Sequence, residues 1–119
     1  MTRVIDAHHH VLHPERAAYP WMTPEVDLLR RPFPLEELLP QLEAAGVEGT
    51  VVVQARTSLD ETRELLALAR ASPTVLGVVA WADLVDPALG DVLAELRAGA
   101  GGDRLVAIRH PVHDEPDPE

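Results

Sequence analysis

The sequence predicts an α/β protein built on a parallel sheet. Three amphipathic helical patterns alternate with four short apolar segments, and each junction has turn or cap residues, which gives the order βαβαβαβ. Repeated right-handed βα units have two common solutions, an open doubly wound sheet or a closed eight-unit barrel. Because a closed barrel takes ~250 residues, four strands in the 119 residues of this chain would be about half of one.

The first half of the chain supplies two strands and one helix. A strand is predicted over residues 3–7, followed by a proline-rich loop of about 25 residues, which is unusually long. The first helix is predicted over 35–45, where Pro40 is expected to split it and Gly46 to end it. The Val-rich segment 47–54 predicts a strand buried on both faces of a parallel sheet.

The second half continues the same alternation. A helix over 58–71 is expected to open with a capping box formed by Ser58 and Glu61. Asp86 and Pro87 indicate the start of the next helix. The remaining predicted elements are a strand at 75–81, a helix at 87–98, a strand at 104–108, and an acidic, proline-rich tail at 111–119 that is not expected to fold on its own.

Composition narrows the classes of function. The formal net charge is −10, cysteine and lysine are absent, and all ten basic residues are arginine. These facts exclude a disulfide framework, a thiolate site and a Schiff-base lysine, and they disfavour nucleic acid or an anionic membrane as partner. No segment reaches the ~18 apolar residues of a membrane span, and the N-terminus lacks a signal layout. The expected location is the cytoplasm.

Polar side chains follow each predicted strand, where parallel α/β folds place their chemistry. In extended chain, residues i and i+2 share a face, so His8 and His10 can offer two imidazoles to one ion while His9 points away. Two ligands do not complete a zinc site, and a solvated loop is the alternative. The full set is His8, His9 and His10, Gln54 and Arg56, Trp81 and Asp83, and Arg109 and His110.

Each of these side chains also has a purely structural interpretation. Asp6 is either a strand-end cap or a carboxylate that holds an imidazole. Gln54 alternatively satisfies backbone groups at its strand end, and the pair Arg109 and His110 alternatively binds the acidic tail. Trp21 and Trp81 are more often packing residues than platforms for a substrate. His13 and His113 are expected to be exposed.

Four segments carry a family resemblance. In order, "VIDAHHHVLHPERAAYPWM", "GTVVVQARTSLDETRELLALA", "VLGVVAWADLVDP" and "LVAIRHPVHDEPDPE" resemble the amidohydrolase-related (amidohydrolase 2 type) family of TIM-barrel hydrolases, which includes sugar lactonases such as L-fuconolactonase and L-rhamnonolactonase. The resemblance implies that the chain is the N-terminal half, βα units 1–4, of a (β/α)₈ barrel. It also implies that the histidines and the aspartate of later strands are missing.

The resemblance implies roles for several residues. His8 and His10 would lie at the metal or catalytic centre, while His9 would not be a ligand. Gln54 and Arg109 would line the substrate pocket, Trp21 would stand at its mouth, and His110 would donate a hydrogen bond or carry a proton to the leaving alkoxide. The implied reaction is attack of an activated water on a lactone carbonyl, with Arg109 stabilising the oxyanion. The family resemblance covers both metal-dependent members, using a divalent ion such as Zn or Mn, and metal-independent ones.

Two other classes of function remain open. The chain could be a noncatalytic half-barrel fragment that buries its open edges against a copy of itself or against a complementing C-terminal half. It could also be a small metal-binding or doubly wound module. Nucleotide binding is improbable because the sequence has no Gly-rich phosphate loop, and the glycines at 99, 101 and 102 follow a helix. The expected partner of the enzyme is a small lactone or carboxylic ester.

Overall fold

A single parallel sheet organises the protein. The computed structural model describes residues 3–14, 16, 18–22, 24–25, 31–112 and 115. Within them the strands are β1 (Ile5–His9), β2 (Gly49–Val53), β3 (Val75–Ala80) and β4 (Leu105–Ile108), and the helices are α1 (Leu35–Ala44), α2 (Leu59–Ala71) and α3 (Leu89–Ala98). The strands lie in the order β1-β2-β3-β4, without the reversal of a doubly wound sheet. The predicted fold class, the first half of a (β/α)₈ barrel, is confirmed.

One face of the sheet packs against the helices and forms the core. Alternate strand residues point to this face, and α2 covers it with Leu66 while α3 adds Leu96. Val52, Val75 and Val78 are fully buried between the layers. Continuous valine runs suit strands of this kind because both of their faces are apolar. No helix in the described part of the chain combines the length and apolar character needed to cross a membrane.

The opposite face of the sheet is open among the described residues. Val106 of β4 is 60% exposed and Ile5 of β1 is 40% exposed. A methyl group on Gly77 would lie 3.1 Å from both methyl carbons of Val106, so the absence of a side chain at Gly77 leaves room for this valine. In a closed barrel this face is the interior, which side chains fill.

Strand β1 begins and ends two residues later than the predicted range 3–7. It runs to His9 because that residue pairs with Val52, and the register shifts between Asp6 and His9. The Asp6 carboxylate accepts a hydrogen bond from the backbone N–H of His8 at 3.1 Å, which supports the irregular turn of the strand. Bulges of this type re-aim side chains beside functional sites. Two of the three consecutive histidines therefore lie inside the strand instead of after it.

The expected split of α1 at Pro40 is wrong, because the helix continues through it from Leu35 to Ala44. Proline removes only one intrahelical hydrogen bond there, while Leu35 and Leu42 on either side of it are buried and hold the helix to the core. The predicted stop at Gly46 is present. Its φ is 72°, and Val47 donates to the Leu42 carbonyl at 2.9 Å, which is the Schellman arrangement.

The other helix starts differ from prediction in one detail each. Ser58 caps α2 by accepting from the N–H of Glu61 at 3.2 Å, but the carboxylate of Glu61 turns away from Ser58, so the capping box is half formed. Helix α3 begins at Leu89 and not at residue 87, because Asp86 caps a preceding turn through the N–H of Ala88. Of the tail at 111–119, the structure describes residues 111, 112 and 115.

Candidate active site at the carboxyl ends of the strands

Two imidazoles converge at the end of β1. The Nε2 atoms of His8 and His10 lie 3.3 Å apart, and the rings meet edge to face with centroids 5.0 Å apart. His9 takes no part in this contact. Its Nε2 is buried without a hydrogen-bond partner among the described residues, and burial lowers the pKa of its ring. The shared face of His8 and His10 thus follows the period-two alternation of an extended chain.

The environment of His10 fixes its protonation state. Its Nδ1 lies 2.9 Å from the Val53 carbonyl oxygen, and since a carbonyl can only accept, Nδ1 carries the proton. Burial lowers the pKa of His10, the hydrogen bond to the Val53 carbonyl partly opposes this shift, and the nearby guanidinium of Arg109 adds to it. The ring is therefore neutral at pH 7, with a lone pair on Nε2 that faces His8.

The distance between the two rings fits a shared metal ion. Zinc binds imidazole nitrogen at about 2.0–2.1 Å, and two such ligands at the tetrahedral angle lie about 3.4 Å apart. The spacing of His8 and His10 is also that of an N–H···N hydrogen bond, which forms if His8 is protonated on Nε2. Across the described residues, no group of three or more His, Cys, Asp or Glu side chains could hold a metal. The described residues thus bring two imidazoles together, whereas a zinc site needs three or four ligands.

Arg109 is held in place by Gln54. The side-chain Oε1 of Gln54 accepts from Nε of Arg109 at 2.8 Å, and the Gln54 carbonyl accepts from Nη2 at 3.1 Å. The amide nitrogen of Gln54 donates to the Arg56 carbonyl at 3.0 Å, so both ends of this side chain, only 2% of which is exposed, are engaged within the protein. Gln54 therefore fixes the orientation of the guanidinium through two of its three nitrogens.

A second hydrogen-bonded chain links the ends of β3 and β4. The indole N–H of Trp81 donates to Nδ1 of His110 at 2.8 Å, and Nε2 of His110 lies 2.6 Å from Oε1 of Glu115. Because an indole can only donate, Nδ1 of His110 is the acceptor in the first hydrogen bond. Its Nε2 therefore carries the proton and donates a hydrogen bond to the Glu115 carboxylate. His110 thus does bind the acidic tail, as one interpretation of the sequence allowed, whereas Arg109 turns to Gln54.

The long loop after β1 reaches the same end of the sheet. Trp21 donates its indole N–H to the Ala55 carbonyl at 2.7 Å, next to Gln54, and keeps part of its ring exposed. Tyr19 packs edge to face against it with ring centroids 5.9 Å apart and accepts from the backbone N–H of His13. An exposed aromatic ring with a fixed orientation is suited to cover the mouth of a pocket.

Other candidates from the sequence lie apart from this cluster. His13 lines a cavity of about 410 Å³ between the long loop and α2, and His9 lines a cavity of about 360 Å³ beside α1. Asp83 accepts from the N–H of Val85 and so caps a turn. His113 lies outside the described residues.

Sequence reasoning missed two buried polar residues that build the site from the helix side. Glu61, 4% exposed, accepts from the backbone N–H groups of Ala55 and Arg56. Thr62 Oγ1 donates to the Trp81 carbonyl at 2.7 Å and accepts from the Trp81 N–H at 3.2 Å. The signal was present, because positions 61 and 62 precede the buried Leu65 and Leu66 by four residues and so share their helix face.

Comparison with known proteins places the chain among amidohydrolases. A family model described as amidohydrolase matches residues 5–119. The L-fucono-1,5-lactonase of Burkholderia multivorans (strain ATCC 17616 / 249) is 36% identical over 113 residues, which are 95% of this chain and 37% of that protein. The L-fucono-1,5-lactonase of Burkholderia ambifaria is 33% identical over 114 residues, covering 96% of this chain and 38% of that protein. The chain therefore spans less than two-fifths of the length of these relatives.

Solved structures give the same result for the fold. A crystal structure described as an amidohydrolase from Burkholderia multivorans with bound Zn superposes with a TM-score of 0.87 at 34% identity, covering 98% of this chain and 39% of that one. A second crystal form, described with bound HEPES, gives the same values. Amidohydrolase 2 from Bifidobacterium longum subsp. infantis, at 21% identity and a TM-score of 0.65, supports the fold alone.

Proposed function

Because this chain belongs to the amidohydrolase family, we propose that it carries the first part of a hydrolase site that opens a sugar lactone or a similar cyclic ester with an activated water. The observation that carries the proposal is the convergence of His8 Nε2 and His10 Nε2 at 3.3 Å at the sheet end where Gln54 orients Arg109. The L-fucono-1,5-lactonase name of the curated relatives supports the choice of a lactone as substrate.

His8 and His10 would hold a divalent ion, with zinc favoured by their spacing and by the related structure described with bound Zn. Such an ion, when bound, lowers the pKa of a coordinated water and makes it nucleophilic at neutral pH. The residues of this chain prepare for that role. The Val53 carbonyl holds His10 in the tautomer whose Nε2 lone pair is available, and burial keeps the ring neutral. Manganese, or a metal-independent site, is the alternative.

Arg109 would bind the lactone carbonyl oxygen. The guanidinium stays protonated throughout the reaction, so it stabilises the negative charge that develops on this oxygen when water attacks. Gln54 fixes two of the three guanidinium nitrogens, which leaves Nη1 to face the substrate. Orientation in advance of binding is what makes such a donor effective, because no reorganisation is then needed during the reaction.

His110 and Trp21 would complete the contacts to the substrate. The Nε2 proton of His110 is the one donated to Glu115, and a leaving alkoxide that displaced this carboxylate would receive the proton. The exposed ring of Trp21, fixed by its bond to Ala55, would pack on the apolar face of the sugar. In this arrangement Gln54 acts on the substrate through Arg109.

The open sheet face calls for a partner in any active form. Val106 and Ile5 lie exposed on the face that a complete barrel encloses, and the relatives are more than twice as long as the matched segment. A complementing C-terminal half, or a second copy of this chain, would cover that face and supply further ligands. The proposed small-molecule partner is a lactone or carboxylic ester.

A second candidate function is metal binding without hydrolysis. It is favoured by the same imidazole pair, combined with the finding that the described residues supply only two ligands. Zinc titration calorimetry separates it from a site with no metal at all. Equal heats for the native chain and for a His8→Ala/His10→Ala variant would exclude both metal-based proposals.

The deciding experiment is acid release from a panel of aldonolactones, followed by pH-stat with the 119-residue chain at a defined oligomeric state. His10→Ala and Arg109→Lys are expected to lose turnover, since the first removes a ligand of the ion that would activate the water and the second replaces the guanidinium that would bind the lactone carbonyl oxygen. His9→Asn is the matched control, because it changes the histidine between His8 and His10, whose ring takes no part in their contact. The hydrolase proposal for this chain would be refuted if His10→Ala and Arg109→Lys turned over lactone as fast as His9→Asn. It would also be refuted if a folded native sample showed no turnover.

A further inference from the structure

Glu61 is a buried carboxylate that binds a loop and not its own helix cap. It occupies the third position of α2 with 4% of its surface exposed. Its Oε1 atom accepts two hydrogen bonds, from the consecutive backbone N–H groups of Ala55 at 2.9 Å and Arg56 at 3.0 Å. Ser58 caps the helix alone through the N–H of Glu61. The carboxylate is therefore free to act on the segment 54–56 that follows β2.

The burial of this group argues for a specific role. Glutamate is rarely buried, because removing a carboxylate from water is costly unless hydrogen bonds replace the lost hydration. Burial raises the pKa of Glu61, while the bonds from Arg56 and Ala55 oppose that shift. A helix cap alone would not require this cost, since Glu at the same position normally reaches back to the cap residue at the surface.

The loop held by Glu61 makes hydrogen bonds to two side chains of the candidate site, Gln54 and Trp21. Gln54 bonds to the Arg56 carbonyl and to Nε of Arg109. Trp21 bonds to the Ala55 carbonyl. The two peptide groups whose N–H groups bond to Glu61 carry the carbonyls of Gln54 and Ala55, which accept from Nη2 of Arg109 and from the indole N–H of Trp21. Any rotation of these two peptide groups would move both anchors at once.

We propose that Glu61 is a positioning residue, which holds the 54–56 loop so that Gln54 presents Arg109, and Ala55 presents Trp21, to the substrate. The dependence of the Arg109 and Trp21 hydrogen bonds on Glu61 can be measured on the protein without a substrate. Its consequence for catalysis rests on the proposed function, in which Arg109 stabilises the oxyanion. In the described part of the chain the carboxylate of Glu61 bonds to the backbone of this loop, so its effect on Arg109 passes through the loop.

The test measures the two anchors directly by ¹⁵N-resolved NMR of the 119-residue chain. The Nε–H of Arg109 and the indole N–H of Trp21 both have internal acceptors, and Arg109→Lys and Trp21→Phe assign their signals. Glu61→Ala is expected to shift both signals and to speed their exchange with water at least tenfold. Glu61→Gln keeps a side-chain oxygen as acceptor and is expected to restore most of the protection.

Ser58→Ala is the matched control, because it removes the cap of the same helix without contacting the loop. If Glu61→Ala does not fold, Glu61→Asp keeps the charge but is one methylene too short to reach both N–H groups, and the same tenfold faster exchange is expected. Exchange in the Glu61 variants equal to that in Ser58→Ala would overturn the proposal.

Turnover separates this inference from the proposed function. If the native chain hydrolyses a lactone, Glu61→Ala should lower kcat/KM at least tenfold, Glu61→Gln should recover most of it, and Ser58→Ala should stay near the native value. If no variant, including the native chain, turns over while the Arg109 and Trp21 signals respond as described, the positioning role stands and the hydrolase proposal fails.

Discussion

Two fully buried threonines should respond in opposite directions to the same substitution. Thr50 in β2 and Thr62 in α2 are both 0% exposed. The Thr50 hydroxyl has no hydrogen-bond partner among the described residues, whereas the Thr62 hydroxyl bonds to both the carbonyl and the N–H of Trp81. Valine has nearly the same shape as threonine, so Thr→Val at each position isolates the hydroxyl.

The expected magnitudes follow from the partners. A buried hydroxyl without a partner costs about 1–3 kcal/mol, so Thr50→Val should stabilise the fold by about 1–2 kcal/mol. Thr62→Val leaves two backbone groups of Trp81 unsatisfied, which should cost about 2 kcal/mol or more. With an unfolding entropy of about 2.1 cal/mol/K per residue, 1 kcal/mol corresponds to about 4 °C for 119 residues.

The assay is thermal unfolding of the two variants beside the native chain at one protein concentration. We expect the melting temperature to rise by about 4–8 °C in Thr50→Val and to fall by about 8 °C in Thr62→Val. Thr62→Ser, which keeps the hydroxyl and loses a methyl group, should fall by about 4 °C. A lower melting temperature for Thr50→Val, or an unchanged one for Thr62→Val, would show that buried hydrogen bonding does not govern these positions.

Three further predictions concern the metal, acid and a glycine. Zinc at a hundredfold excess over Kd should raise the free energy of unfolding of the native chain by up to about 2.7 kcal/mol, and with it the melting temperature, but should not change that of His8→Ala/His10→Ala. An equal rise in both would place the metal elsewhere. Burial lowers the pKa values of His9 and His10 in the folded state, so the stability present above pH 6.5 is lost as the pH falls through the lowered values. The unfolding free energy measured against pH should therefore decline below 6.5, and less steeply in His9→Asn. Gly101 has a φ of 73°, and a methyl group there would overlap the Leu66 carbonyl, so Gly101→Ala should cost about 3 kcal/mol in urea unfolding, whereas Gly90→Ala, which has open space, should not.

The fold class was predictable because it depends on patterns of burial. Continuous valine runs and amphipathic helices are typical of a parallel sheet covered by helices. The observed strand order confirmed this fold class. The shift of β1 was not predictable, because it depends on which residue of β2 pairs with His9. Local patterns carry no information on such pairing across forty residues of chain.

In the candidate site, too, contacts within one segment were predictable from the sequence and contacts between distant segments were not. That His8 and His10 would meet followed from alternation along an extended chain. The bond between Gln54 and Arg109 spans two strands that are not adjacent in sequence, and Glu61 was interpreted as a cap because the capping pattern is local. Side chains that act across elements are visible only once the elements are packed. The catalytic roles of the site residues and the cytoplasmic location stay predictions.

The negative net charge of the chain affects whether the open faces of two sheets can associate. Val106 and Ile5 leave an apolar surface next to strand edges that other strands could extend. A net charge of −10 makes two such surfaces repel each other before they touch, and dissolved salt weakens that repulsion over about 10 Å at 0.1 M. Ionic strength should therefore decide whether this chain stays dispersed or aggregates, and a neutral or basic complementing segment would have an advantage over a second copy.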